Sequence, residues 1–500
     1  MILPGFPVSA DVQAARFTEP RLRVRLPLIL ADLEGHLGCS LPQACGDWAA
    51  TQGAYRFLAH PQTAVDNLLP AFTLPAARAA CRRDTVVDVH DSTSFNFTHL
   101  RAATGLGFLN DSDQAQGLHL HSSLLVDLSG QLLGLAHLNF WVREQFRDQS
   151  DQEVRRLPIE QKESFKWIEG LRATQEVLTA TGQPAPQLIH VMDREGDIHE
   201  VFAEVKRLRH DAVIRCCQDR RVDTRPPDPS GYAKQQVARS EPRGPVKLQV
   251  PLKDGGYRAA LVAVRSVRVR LCPSDKRGRG RQPLWLWLVE IQELARPPEG
   301  ELAVRWWLWT TLRSKTLADV LAVLRVYRLR WRIEEYHRVL KTGCKVERLR
   351  LQSGERLMRA ITLQAWVASR VVQLRDAAKQ KPQASCRECF SDDEWQTLWA
   401  REHQRAWRAE EGEPTVQAVV KWLGKLGGHL GRNRDGLPGA EVLSRALYAL
   451  TLLLEGRAIG RAEAAGPPSA GRPPPTEAET ATPAVNPPDS PSPSHPPPHV

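Results

Sequence analysis

The sequence predicts a mixed α/β fold with helical segments before and after it. Between residues 85 and 193, apolar runs and segments of helical spacing follow in the order strand, strand, strand, helix, strand. This order indicates a mixed sheet. A series of strand-like runs interrupts the pattern at about residues 206–312, while 12–75 and 357–460 have the spacing of helices. We therefore expect one α/β domain with a β-rich insertion between two helical regions.

The N-terminal region and the first strands follow from periodicity. Apolar residues of 12–75 recur at helical spacing, as at Leu26, Leu30, Leu33 and Leu37. Residues 85–91 are rich in Val and alternate with period two, which predicts a strand. The apolar runs 118–128 and 132–142 are separated by Ser129 and Gly130, which predicts a hairpin. Residues 163–180 are expected to form a helix, and 188–193 a buried strand.

The second half of the chain contains the insertion and further helices. The connection between Asp193 and Glu334 is far longer than an ordinary strand–helix connection, which is why we predict an insertion there. From about 315 to 341 the pattern is helical, with apolar residues three and four positions apart. From 466 onward the chain is rich in Pro, Ser and Thr, and we expect disorder because such a composition cannot bury a core.

Composition restricts the classes of protein. The 500 residues suggest two to four domains, and a net charge of +11 favours a polyanionic partner such as nucleic acid. Nine cysteines without regular spacing argue against a disulfide framework. Cys386 and Cys389 have metal-ligand spacing, but no second pair accompanies them, so we do not expect zinc there. Neither a signal peptide nor a membrane-spanning run is recognisable, so a soluble, intracellular protein is expected.

Two aspartates stand at the ends of predicted strands, Asp91 and Asp193. Functional crevices of α/β sheets lie at the C-terminal ends of strands, and two carboxylates there could share hard cations such as Mg²⁺. A third carboxylate from a following helix would complete a two-metal site. From the residues alone, strand-end aspartates are as easily turn or cap residues. Other carboxylates are equally plausible on composition: Asp84, Asp88, Glu195 and Asp197.

The helix after the insertion carries a mixed set of polar side chains. Tyr327, Arg330, Glu334 and Lys341 would fall within an arc of roughly 60° on one straight helix. A carboxylate flanked by cations suits metal binding beside a phosphodiester, where Arg and Lys hold the phosphates. The alternative is a solvated charged face with helical ion pairs.

The pattern Tyr-x2-Arg-x3-Glu-x6-Lys in residues 327–341 resembles the signature of the insertion-sequence-four family of bacterial transposases, and most nearly its transposon-five type. Four further stretches resemble family motifs in the same order: the end-binding motif at 52–57, the two aspartate motifs at 91–94 and 193–200, and a C-terminal run at 426–428 followed by Asp435 and Gly436. The resemblance covers about residues 15–460.

This resemblance implies a ribonuclease-H-like catalytic core interrupted by the β-rich insertion. It also implies four regions along the chain: a helical DNA-binding domain for the transposon ends (1–75), the catalytic domain (76–370, insertion about 206–312), a helical dimerisation domain (371–465) and the disordered Pro-rich tail (466–500). The family works as a homodimer in a synaptic complex, on the double-stranded DNA of transposon ends and target. A bacterial, cytoplasmic protein that acts at the nucleoid is the expectation that follows.

The resemblance also implies the reaction and the residues that perform it. Asp91, Asp193 and Glu334 would be catalytic and would hold two Mg²⁺ ions, or Mn²⁺. The reaction would be a nick at the transposon end, hairpin formation by the freed 3′-hydroxyl, hairpin hydrolysis and joining to target DNA.

Further residues match family positions that contact DNA. Near the cut these are Tyr327, Arg330, Lys341 and Trp306, of which Trp306 would stack on a flipped base. In the N-terminal domain they are Arg21, Arg25 and Arg56. The alternatives are that Trp306 packs a strand together with Trp307 and Trp309, and that the arginines are ordinary surface residues. His119 and His121 share one strand face, but with nothing else at ligand spacing we do not expect them to bind metal.

Three other functions remain open at this point. A catalytically silent, DNA-binding inhibitor of transposition would keep the binding residues without cleaving. A related metal-dependent nuclease would cut without joining. A glycosidase could use two carboxylates, but it would have no use for clustered Arg and Lys.

Overall fold

One mixed sheet of eleven strands forms the centre of the described part of the chain. The structure is a computed structural model that describes residues 12–109, 112–144, 153, 157–223, 231–252, 256–272, 282–432 and 435–465. The strands are β1 (Thr85–Asn96), β2 (Gly107–Leu109), β3 (Ser112–Asp127), β4 (Leu132–Trp141), β5 (Gln187–Met192), β6 (Asp211–Arg215), β7 (Val222–Asp223), β8 (Pro242–Pro251), β9 (Tyr257–Leu271), β10 (Leu284–Glu293) and β11 (Arg305–Thr310).

Helices precede, interrupt and follow these strands. They are α1 (Pro20–Gly35), α2 (Leu41–Cys45), α3 (Trp48–Ala59), α4 (Val65–Ala80), α5 (Phe165–Thr179), α6 (His199–Leu208), α7 (Ala233–Arg239), α8 (Leu317–Arg328), α9 (Trp331–Arg338), α10 (Gly354–Gln380), α11 (Asp392–His403), α12 (Val416–Leu426) and α13 (Ala440–Ala465). Among the described residues, those up to Glu455 pack as one compact unit, and those from Gly456 to Ala465 belong to a second unit.

Five strands form the core of the sheet in the order β4-β3-β1-β5-β6. In this core β3 pairs antiparallel with both β1 and β4, whereas β5 runs parallel to β1 and β6 parallel to β5. The two parallel strands are reached through α5 and α6, as parallel pairing requires. An antiparallel meander followed by two parallel strands is the ribonuclease-H-like arrangement. The predicted fold class, with its β-rich insertion and helical flanks, is therefore confirmed.

The predicted hairpin between β3 and β4 is present and has a specific turn. The Asp127 side chain accepts hydrogen bonds from the amides of Ser129 and Gln131, at 2.9 and 3.0 Å. Gly130 has a φ of +90°, which glycine adopts without the strain of a side chain. The two residues recognised in the sequence thus form the turn.

The insertion extends the same sheet. β11 pairs antiparallel with β6, β10 with β11, and β9 with β10, while β7 and β8 both pair with β9. The range 206–312 that we assigned to the insertion includes β6, which is the last parallel strand of the core. The inserted strands are therefore β7 to β11.

Helix α10 connects several parts of the fold and is buried over most of its length. Its Asp376 accepts a hydrogen bond from the amide of Leu132 at 2.8 Å and pairs with Arg332 of α9 at 2.6 Å. These contacts fix α9 relative to β4. The prediction of a disordered tail concerns residues 466–500, which lie outside the described residues. None of the described helices has the length and apolar character that a membrane crossing needs.

Candidate active site

Parallel strands β1 and β5 deliver two carboxylates to neighbouring positions. Their backbone pairing ends at Val89 opposite Val191. Asp91 and Asp193 each lie two residues further along, so the same register places them side by side. Asp91 does not end its strand as the sequence suggested, because β3 continues to pair with β1 as far as Asn96. It lies where the parallel pairing stops.

Backbone amides hold both aspartates in place. Asp91 Oδ1 accepts a hydrogen bond from the Ser92 amide at 2.8 Å. Asp193 caps a single 3₁₀ turn, Arg194–Gly196, and its Oδ1 accepts from the Glu195 amide at 2.8 Å. In each case one carboxylate oxygen is used locally, and the other remains for a ligand or a cation.

Glu334 lies in the first turn of α9, and Arg330 joins it to Asp91. The Arg330 guanidinium donates to Glu334 Oε1 through one nitrogen, and its Nη1 lies 3.4 Å from Asp91 Oδ2. The structure therefore joins Asp91 and Glu334 through one arginine, and the strand register places Asp193 beside Asp91.

Burial, and for Asp91 also repulsion between carboxylates, changes the pKa values at this site. Burial raises the pKa of Asp91 to about 7, and the carboxylates of Asp193 and Glu334 contribute in the same direction. Burial also raises the pKa of Asp193. For Arg330, burial acts to lower the pKa, but the carboxylates of Glu334 and Asp91 outweigh it and raise the pKa. The site holds more negative charge than the one arginine balances.

The helix predicted for residues 315–341 is divided in the structure. α8 ends at Arg328, α9 begins at Trp331, and a π-helical turn, Val339–Gly343, follows. Between α8 and α9 the backbone bonds join residues three apart, as from Arg330 N to Tyr327 O at 3.1 Å, which tightens the turn and changes its phase. The single 60° arc expected for Tyr327, Arg330, Glu334 and Lys341 therefore does not hold.

Tyr327 instead belongs to a small aromatic group beside the carboxylates. Its buried ring meets the edge of the Trp306 ring, with centroids 5.9 Å apart. The Arg215 guanidinium lies 5.4 Å from the centre of Trp306. Lys341 lies further along, with its Nζ 5.7 Å from the centre of the Phe95 ring.

Two cations near the site were not found from the sequence. Arg215 is the last residue of β6, so the strand-end rule that selected the aspartates could also have selected it. Lys166 is a buried residue of α5 whose Nζ lies 3.3 Å from Glu195 Oε2 and 4.8 Å from the centre of the Trp141 ring. Its sequence neighbourhood gives no signal, because its role depends on how α5 packs.

The other candidate carboxylates have different partners. Asp197 is buried and accepts from the Cys217 amide at 2.7 Å and from Arg220 Nε at 2.8 Å, so it shapes the loop after β6. Glu195 pairs with Lys166, and Asp84 is exposed. Asp88 is buried among histidines and has no contact with Arg330.

The three N-terminal arginines lie on α1 and α3. Arg21 and Arg56 are exposed, with local partners in Glu19 and Gln52. Arg25 crosses α3 at Gly53, where a Cβ would come within 2.7 Å of the Arg25 Cζ. The glycine of the end-binding motif thus allows Arg25 to approach the helix.

Comparison with known families agrees with this geometry. Residues 8–63 match a family model described as transposase DNA-binding, and residues 136–369 match one described as transposase DDE domain. Together the two matches cover more than half of the chain. The chain is a DDE transposase. The DDE match contains Asp193 and Glu334, and Asp91 precedes it.

One solved structure similar to this transposase is the cryo-EM structure of a piggyBac transposase synaptic complex with hairpin DNA. The identity is 9%, the similarity covers 76% of this chain and 73% of that chain, and the TM-score is 0.33. Similarity at this level carries no conclusion about mechanism.

Proposed function

We propose that this transposase works by cut-and-paste transposition as a transposon-five-type member of the insertion-sequence-four family. The steps are nicking at a transposon end, hairpin formation, hairpin hydrolysis and strand transfer into target DNA. The observation that carries the proposal is that Asp91 and Asp193 lie side by side, with Glu334 joined to Asp91 through Arg330. A glycosidase is set aside by the two transposase matches.

The donor atoms of the site fit hard divalent cations. Three carboxylates converge, and Mg²⁺ or Mn²⁺ prefers such oxygen ligands. Burial raises the pKa of Asp91 and of Asp193, so their ionised forms are costly unless positive charge lies beside them. When bound, two such ions would supply an activated water or 3′-hydroxyl and stabilise the leaving oxygen. Asp91, Asp193 and Glu334 would hold them.

Cations and aromatic rings around the carboxylates would position the DNA. Arg330 pairs with two carboxylates and would exchange them for phosphate oxygens, which its guanidinium can bind in pairs. Lys341 would contact a phosphate further along the end. Trp306 is partly exposed, so its face is available to stack on a flipped base, with Tyr327 supporting its edge.

The flanking regions would recognise the ends and join two subunits. Arg21, Arg25 and Arg56 would bind the end DNA through the domain of residues 1–75. The helical region 371–465 would hold two copies together, each cutting the end bound mainly by its partner. Mass photometry of the full chain with end DNA is expected to show complexes of two chains and two DNA ends. Complexes that contain one chain at every DNA concentration would contradict the dimer.

The central test uses supercoiled plasmid that carries the two inverted repeats flanking the gene. With Mg²⁺ or Mn²⁺ we expect excised transposon with hairpin ends, followed by integration products, and no cleavage with chelator. An inhibitor of transposition would shift the end DNA in a gel without cutting it. A nuclease would cut without giving hairpins or joined products. Either result would overturn the proposal.

A further inference from the structure

A second cluster of ligand-type side chains lies on the other face of the β1–β5 pair. Asp88 and His90 of β1 and His190 of β5 are fully buried, and Asp88 is the register partner of His190. Asp88 Oδ2 lies 2.9 Å from His90 Nε2 and 3.1 Å from His190 Nδ1, and the two nitrogens are 3.0 Å apart. The three atoms form a nearly equilateral triangle.

Helix α5 covers this triangle closely. Gly170 of α5 lies so near that a Cβ on it would be 3.0 Å from His90 Nδ1. The Trp167 ring lies 6.5 Å from His90 and 4.7 Å from His121, between ring centroids. The cluster is thus enclosed between the sheet and one helix.

Hydrogen bonds surround the outer nitrogens of both rings, and they assign the one of His190. His90 Nδ1 is 2.8 Å from Ser123 Oγ, and His190 Nε2 is 2.9 Å from His210 Nδ1. His210 Nε2 is 2.8 Å from Gln175 Oε1, an acceptor, so His210 must donate there. His210 Nδ1 is then the acceptor in a neutral ring, and His190 must donate to it through Nε2.

This assignment leaves the Asp88 carboxylate without a donor. With Nε2 protonated and the buried ring neutral, His190 Nδ1 carries a lone pair, which can accept from His90 Nε2 at 3.0 Å. Neither Asp88 oxygen has a partner of hydrogen-bond geometry among the described residues. Buried, unpaired oxygens of this kind cost free energy unless a cation or proton accompanies them.

We propose that Asp88, His90 and His190 bind one divalent first-row transition-metal ion, preferentially Zn²⁺, at a structural site separate from the three carboxylates. Imidazole nitrogen selects such ions over Mg²⁺. With metal–ligand distances of about 2.0–2.1 Å, an ion lies about 1.1 Å above the plane of the triangle. Both rings then donate their outer N–H groups, to Ser123 and His210, which is the outer-shell pattern of metal-binding histidines.

The site would stabilise the part of the sheet that carries the carboxylates. His90 precedes Asp91 directly, and His190 lies three residues before Asp193. The ion would link β1 to β5 just before both aspartates. The proposal does not depend on cut-and-paste transposition, because metal binding is measured without DNA.

The experiment uses the full chain, stripped with chelator and titrated with Zn²⁺ and with Co²⁺. We expect one tightly bound Zn²⁺ per chain by elemental analysis, and a higher melting temperature with Zn²⁺ than in chelator. Bound Co²⁺ is expected to give visible bands without the near-ultraviolet charge-transfer band of a thiolate. That band would place the ion on Cys386 and Cys389 and overturn the proposal.

Variants locate the ion. His190→Gln is expected to weaken Zn²⁺ binding by more than about 100-fold, and His210→Ala by about 10–100-fold. His403→Gln, at an exposed histidine, and Asp193→Asn are expected to bind like wild type. The wild-type measurements decide by themselves, so the test does not depend on the His190→Gln variant folding. Wild type that binds no Zn²⁺ and melts at the same temperature with and without chelator would overturn the site. In that case a proton shared between Asp88 and the histidines would take the place of the ion.

Discussion

Asp91→Asn should stabilise the transposase at pH 8 when divalent metal is absent. In the folded chain the pKa of Asp91 rises from its ordinary 3.8 to about 7. Because this folded-state pKa is raised, the stability that protonated Asp91 provides is complete below about pH 4. It is lost as the pH rises through about 7. The Asp91 side chain is only 20% exposed, so solvent screens it weakly.

The size of the effect follows from the same values. Each tenfold change in a protonation equilibrium corresponds to about 1.4 kcal/mol, so ionised Asp91 costs the folded state at most about 4 kcal/mol above pH 7. Asparagine removes the charge and keeps the shape. The loss of the contact to Arg330 offsets part of the gain, and a net rise of several degrees in melting temperature is expected.

The assay is thermal unfolding at pH 5 and pH 8 in chelator, with Asp84→Asn as the matched control at an exposed aspartate. The melting temperature of Asp91→Asn is expected to exceed that of wild type by more at pH 8 than at pH 5. Adding Mg²⁺ at pH 8 should stabilise wild type more than the variant, because ligand binding to the native state raises stability. A melting temperature of Asp91→Asn below that of wild type at pH 8, or an equal offset at both pH values, would refute the reasoning.

Three further predictions concern DNA. Asp193→Ala and Glu334→Ala are each expected to abolish plasmid cleavage while end binding in a gel stays within a few-fold of wild type, and near wild-type cleavage would remove that residue from the site. Lys341→Ala and Arg330→Ala are expected to reduce the slope of log K against log[salt], measured without metal, by about 0.9 each, and slopes parallel to wild type would exclude a phosphate contact. Trp306→Ala is expected to nick normally but to process hairpins at least about tenfold more slowly, since base stacking contributes about 1–3 kcal/mol. Trp306→Phe is expected to restore part of the rate. Unchanged hairpin kinetics in Trp306→Ala would show that the ring only packs the strand.

The sequence predicted the parts of the site that depend on local periodicity. Strand ends selected Asp91 and Asp193, because residues at the carboxyl ends of parallel strands lie together once the strands pair. The i, i+4 spacing of Arg330 and Glu334 likewise placed them on one helical face, where the structure pairs them. These inferences need only the period of each element.

What the sequence did not predict depends on contacts between distant segments. Arg330 keeps helical dihedral angles at the break between α8 and α9. The break therefore needs no glycine or proline, and the sequence does not reveal it. It coincides with the contact from Arg330 to Asp91, which is 239 positions away. The histidine cluster was missed for the same reason. His119 and His121 stand out because they share one strand, whereas Asp88 and His190 meet only through the register of β1 with β5.

Both sets of side chains depend on that one register. Successive residues of a strand face opposite sides, so Asp91 lies on the face of α9, and Asp88 and His90 lie on the face of α5. A slip of one residue in β1 would turn Asp91 toward Trp167 and His90 toward Arg330. It would bury an unpaired carboxylate and separate Asp88 from His190. The histidine cluster therefore disfavours the shifted β1–β5 register, in which the carboxylate site would be lost. Substitutions in the cluster should change cleavage because they alter the position of Asp91 relative to Asp193, and they should leave DNA binding unchanged.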